Sequence, residues 1–144
     1  MMMQVGDTTE IEWTVQEKHL ASSVGSGDVQ VFSTPCLLAL MEEACVKSIQ
    51  GKLAFGSTTV GTSAQISHLA ATPLNMKVRA LARITQITQK KISFSIEAFD
   101  EKERIGECTH ERFIVDRERF MSKCNSKSSS SPTSSTSASN GPQQ

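Results

Sequence analysis

Thr34, Glu42 and His68 are the side chains of this sequence best placed, by type and setting, for acid–base or nucleophilic chemistry. In "STPCLLALMEEAC" (33–45), Thr34 stands where a helix N-cap belongs, and Glu42 follows two turns later. The helical neighbours of Glu42 at i−4, i+3 and i+4 are Leu38, Cys45 and Val46. A carboxylate held away from water resists ionisation and becomes a usable base or nucleophile. Glu43 points about 100° away from Glu42 and reads as part of a wet stripe, with Lys47 one turn on for i,i+4 support. His68 falls on the same strand face as Ala64 and Ile66. An imidazole there ordinarily packs, and it becomes a catalyst only with a partner to exchange a proton with. His19 and His110 lie among polar neighbours, and Trp13 reads as a core anchor. "VGSGD" (24–28) has G-x-G without a third glycine or a strand-turn-helix setting, so it reads as a loop and not a phosphate cradle.

The elements that must position these groups follow from periodicity. Thr34 as N-cap, Pro35 at the first helical position and Gly51 as the stop bound one long helix. Its Leu37, Leu38, Leu40, Met41, Ala44, Cys45 and Ile49 leave little polar face, as in a helix buried on more than one side. Alternation with a period of two predicts strands at 10–16, 75–85 and 91–99. "RIGECTHERFIV" (104–115) is a less regular strand that ends in Phe113, Ile114 and Val115. "TTVGTSAQISHLAATP" (58–73) is a further strand, interrupted at Gly61 by a bulge or a close backbone approach and ended by Pro73. One such helix among five antiparallel strands predicts an α+β domain in which a curved sheet wraps round the helix.

The 144 residues suffice for one domain with a real core, and the 15 basic and 15 acidic side chains balance to zero net charge. That balance gives no electrostatic footprint for nucleic acid, and no apolar run approaches the roughly 20 residues that span a bilayer. "MMMQVGDTTEIEW" lacks a basic and an apolar signal region, and the first Arg is Arg79, so a cytoplasmic protein is expected. Cys36, Cys45, Cys108 and Cys124 form no C-x-x-C pair and have no zinc-like spacing with the histidines, which predicts free thiols in a reducing compartment and no metal. Cys36 near a helix start also has the setting that lowers a thiol pKa, although such residues commonly serve as small core side chains. The Ser-rich stretch 122–144 has almost nothing apolar and is expected to be disordered, leaving a folded domain at 1–121.

Taken in order, "GSGDVQVFSTPCLLALMEEACVKSI", "TTVGTSAQISHLAATPLNMKVRA" and "SFSIEAFDEKERIGECTHERFIVDRERF" resemble the fluoroacetyl-CoA thioesterase-like family of the hot-dog superfamily, from about Val5 to Phe120. The resemblance implies a hot-dog fold, a homodimer with acyl-CoA sites at the subunit interface, and no cofactor. It places the family's catalytic set on Thr34, Glu42 and His68, and a glycine close to the bound acyl group on Gly61. The expected function is hydrolysis of a short- or medium-chain acyl-CoA; the alternative is a non-catalytic acyl-CoA-binding hot-dog module. Where the fluoroacetate-specific enzyme has an aromatic-rich lid, this chain has "DVQVFST" with Phe32 its only aromatic, and Glu43 replaces an aromatic after Glu42. Acyl-CoA hydrolysis without selectivity for fluorine is therefore expected.

Overall fold

The computed structural model describes residues 2–128; the Ser-rich stretch from 129 onward lies outside the described residues. Five strands form one antiparallel sheet: β1 (Thr8–Thr14), β2 (Ser57–His68), β3 (Lys77–Ile87), β4 (Lys91–Asp100) and β5 (Arg104–Asp116). Their order in space is β1-β3-β4-β5-β2, so β1 and β2 are the edges. A short helix α1 (Ala21–Val24) precedes the long helix α2 (Thr34–Ile49), and α3 (Arg117–Asn125) follows β5. The helix α3 runs past the boundary expected at Met121, and none of its residues is buried.

The alternation seen in the sequence becomes the core. Val78, Ala80, Ala82 and Ile84 of β3 and Ile92, Phe94, Ile96 and Ala98 of β4 are all buried. They meet Leu37, Leu40, Met41, Ala44 and Cys45 of α2 in one cluster. Each large side chain buried this way stabilises the fold by about 1.5–3 kcal/mol. Alanines at alternate sheet positions let the helix lie close, and Gly106 extends this: a Cβ there would sit 2.8 Å from Leu37 Cδ2 and 3.2 Å from the Ser67 carbonyl oxygen.

The helix start differs from expectation. Ser33 is the N-cap, its Oγ accepting from the Cys36 N–H at 3.3 Å, and Thr34 is the first helical residue. The shift frees the Thr34 hydroxyl from capping. The stop is as expected, with Gly51 in the left-handed region (φ 73°) just past the helix. The break expected at Gly61 is real, since the β2–β5 register shifts between Gly61 and Ser63. No helix among the described residues is long and apolar enough to cross a membrane.

Candidate active site

Two polar groupings face the helix, one at each end of β2. At its C-terminal end, Thr34 Oγ1 and His68 Nδ1 are 2.7 Å apart. Helix α2 presents Thr34 in its first turn, and β2 delivers His68 as its last residue. Burial pushes the His68 pKa below its ordinary value, and a hydrogen-bonding backbone group of Ala70 offsets only part of this. Nε2 itself is buried without a fully formed hydrogen bond. The ring is therefore held neutral, and with the proton on Nε2 the Thr34 hydroxyl donates to Nδ1. A neutral imidazole accepting from a hydroxyl is the local arrangement that activates an oxygen nucleophile.

This pair opens on a cleft of about 390 Å³ walled by Val29, Val31, Leu69 and Ala70. Bridges from Leu20 to Phe32 and from Val31 to Pro73 pin the loop that forms its outer wall. Phe32, the one aromatic of that stretch, is fully buried and packs edge-on against Trp13 and His19 at 6.4 and 6.1 Å. Apart from Phe32, the apolar part of the cleft wall is thus aliphatic.

Near the other end of β2, Glu42 Oε2 lies 3.4 Å from Arg112 Nη1 and 3.5 Å from His110 Nε2. The sequence placed this carboxylate in apolar surroundings; instead it is 39% exposed and faces a guanidinium. The basic groups are buried where the acid is not. His110 Nδ1 is 2.8 Å from the Ser63 carbonyl oxygen, which only accepts, so the proton sits on Nδ1. Nε2 then accepts from Arg112 Nη1 at 3.1 Å, and the same Nη1 donates to Glu42. Arg112 is fixed from behind by Thr59, whose Oγ1 accepts from Nε at 2.9 Å and whose carbonyl accepts from Nη2 at 3.3 Å. Gly61 closes this grouping: a Cβ there would lie 2.8 Å from Glu42 Oε2, 3.0 Å from His110 Cε1 and 3.1 Å from Arg112 Nη1. The glycine is needed for close approach, so both readings offered by its place in the strand hold, since the register also shifts there.

Sequence reasoning missed His110 and Arg112. Read as a polar, irregular strand, "ECTHER" in fact keeps its period: Cys108, His110 and Arg112 alternate inward and are buried. The signal was alternation carried by polar residues. Glu43 also has a different partner from the one expected. It accepts from Trp13 Nε1 at 2.9 Å, and no Glu43–Lys47 ion pair forms among the described residues. The four cysteines are free, and burial pushes the Cys108 thiol up to about 11 and the Cys45 thiol further still. No group of three or more His, Cys, Asp or Glu among the described residues is placed to hold a metal ion.

A five-stranded antiparallel sheet with one long helix against it is the hot-dog fold of known thioesterases. A hot-dog-like protein from Thermanaerovibrio acidaminovorans superposes with a TM-score of 0.78 at 19% identity, covering 85% of this chain and 91% of its own. A fluoroacetyl-CoA-specific thioesterase variant superposes with a TM-score of 0.82 at 28% identity, over 87% of this chain and 97% of its own. The fluoroacetyl-CoA thioesterase of Streptantibioticus cattleyicolor is 34% identical over 98 residues, 68% of this chain and 70% of that enzyme. The fluoroacetyl-CoA-specific thioesterase (FlK) family model matches residues 15–118, and the chain belongs to that family.

Proposed function

We propose that the protein is an acyl-CoA thioesterase that hydrolyses a short- or medium-chain acyl-CoA to the free acid and CoA. The observation that carries this reading is the 2.7 Å contact between Thr34 Oγ1 and His68 Nδ1 at a cleft with a partly apolar wall. As Thr34 Oγ attacks the thioester carbonyl carbon, its proton passes to His68 Nδ1. Collapse of the tetrahedral intermediate expels the CoA thiolate, which takes that proton. Water then attacks the acyl-threonine, releasing the acid and restoring the hydroxyl. The helix start supplies little for the oxyanion, because Pro35 has no N–H and the Cys36 and Leu37 N–H groups bond Ser33.

Glu42 does not reach this pair within one chain, since eight residues of helix separate it from Thr34 by roughly 12 Å. A homodimer through the β2 edge brings it nearer. Ser57–Ser67 carries no charge and no proline, whereas the other edge, β1, carries Glu10 and Glu12 paired with Arg79 and Lys77. Edges that are meant to stay unpaired carry such charges, so β2 has the make-up of a strand that pairs. Two-fold antiparallel pairing along the whole strand sets Ser57 opposite His68 of the partner subunit. Gly61, and Glu42 against it, then lie four strand positions from the partner's His68 (roughly 13 Å) instead of seven (roughly 23 Å). In this dimer Glu42, held by Arg112, serves the partner's site by orienting the water that deacylates Thr34. Free thiols support a cytoplasmic location.

A panel of acyl-CoAs assayed for free-thiol release tests the reading. Turnover of acetyl- to medium-chain substrates is expected, with no large advantage for fluoroacetyl-CoA over acetyl-CoA because, among the described residues lining the cleft, Phe32 is the one phenyl ring. Binding without thiol release from any member would leave only an acyl-CoA-binding module.

A further inference from the structure

Phe55 sits in the turn between α2 and β2 with its side chain fully exposed, at 106% of the reference area. The turn itself is fixed. Ser57 N–H bonds the Ala54 carbonyl at 3.0 Å, Gly56 takes φ +86°, and the Gly56 carbonyl accepts from Arg117 N–H at 2.9 Å. A constrained turn thus holds an aromatic ring in water immediately before the uncharged edge of β2. At the opposite end of the same strand, the Thr34–His68 cleft carries exposed apolar side chains on its walls, Val29 at 57% and Leu69 at 50%. Among the described residues neither of these apolar surfaces is covered, and they lie at the two ends of one strand.

We propose that Phe55 of each subunit caps the acyl cleft of the other and bounds the chain length that the cleft accepts. The inference rests on the dimeric reading above, and it follows from strand direction. When β2 pairs with its symmetry mate, the start of one strand runs beside the end of the other. With Ser57 opposite the partner's His68, the turn that opens the strand and carries Phe55 falls beside the end of the partner's strand, close to Leu69 of the partner subunit. The contact is reciprocal, so both sites of the dimer are capped. It joins aromatic to aliphatic surface and excludes water from the acyl end, away from the reacting carbonyl. Phe55 is therefore a specificity-determining residue supplied in trans.

Mixed dimers test this. Chains carrying Phe55→Ala and chains carrying His68→Ala are given different affinity tags, and the heterodimer is isolated through both. Phe55→Ala homodimers should keep their sedimentation coefficient and melting temperature while losing roughly 10–200-fold in kcat/KM, the scale of a lost apolar pocket contact. In the heterodimer one cleft combines an intact His68 with an intact Phe55 from the other chain. It should recover about half the wild-type kcat/KM per dimer, as one intact site of a symmetric pair. Activity no higher than that of Phe55→Ala homodimers would place Phe55 in its own subunit's site and overturn the proposal, as would an unimpaired Phe55→Ala homodimer. A second readout does not depend on turnover. In a Cys36→Ser, Cys124→Ser background, which leaves only the buried Cys45 and Cys108, chains with Phe55→Cys and chains with Leu69→Cys are mixed and treated with a short bis-maleimide. A covalent dimer is expected in the mixed sample alone, and its absence would overturn the placement. Wild-type protein that releases no thiol would defeat the thioesterase reading, while the cross-link would still decide where Phe55 lies.

Discussion

The paired hydroxyl and imidazole make separable demands on Thr34 and His68. Thr34→Val keeps the shape of the side chain and removes the hydroxyl, so kcat should fall roughly 10²–10⁴-fold with little change in melting temperature. Because burial lowers the His68 pKa, the base is neutral through the physiological range, and the acid limb of kcat/KM should fall below the ordinary value near 6.5. The same shift acts on stability. The unfolded chain takes up the proton first, so this contribution is intact above about 6.5 and is lost as the pH falls below it. Melting temperatures on either side of that pH should diverge more for the wild type than for His68→Gln, and equal divergence would refute a depressed pKa. Glu42→Gln should abolish turnover, whereas Glu43→Gln, whose amide oxygen can still accept from Trp13 Nε1, should keep activity; equal loss in both would remove Glu42 from the mechanism.

At the scale of elements, the two ends of β2 are set by glycine and register. Gly61→Ala drives a methyl group to 2.8 Å from Glu42 Oε2, the far end of a flexible side chain. The carboxylate gives way, and kcat should fall more steeply than stability. Gly106→Ala meets Leu37 and the Ser67 backbone, which cannot both yield, so about 1–3 kcal/mol of stability should be lost in denaturant unfolding. The strands and α2 were legible because β3 and β4 alternate apolar and polar residues, and because Pro35 and Gly51 bracket the helix. Other features were not. Ser33 and Thr34 are both competent caps, and only the backbone decides between them. His110 and Arg112 were hidden because their inward polar side chains break the apolar pattern from which a strand is read. The approach of Glu42 to Gly61 joins residues 19 positions apart in the chain, and no local spacing encodes such a contact.

For the whole molecule, the proposed composite site makes function depend on what the β2 edge does. Ala64→Lys puts a charge in the middle of that edge and should yield a folded monomer by sedimentation, with activity lost because Glu42 and the partner's His68 are no longer brought together. Full activity in a monomer would refute the composite site. Truncation after Asn125, the end of α3, should leave a folded dimer, because α3 buries none of its residues and the core lies upstream. The family membership and the site geometry converge on thioester hydrolysis, and the most direct test joins rate and fold on one preparation. Free-thiol release from the preferred acyl-CoA is measured for wild type and His68→Ala, together with their melting temperatures. The account predicts a folded variant whose kcat is reduced roughly 10²–10⁴-fold with KM nearly unchanged. A variant that is destabilised yet turns over at the wild-type rate would show that His68 only packs, and would contradict it.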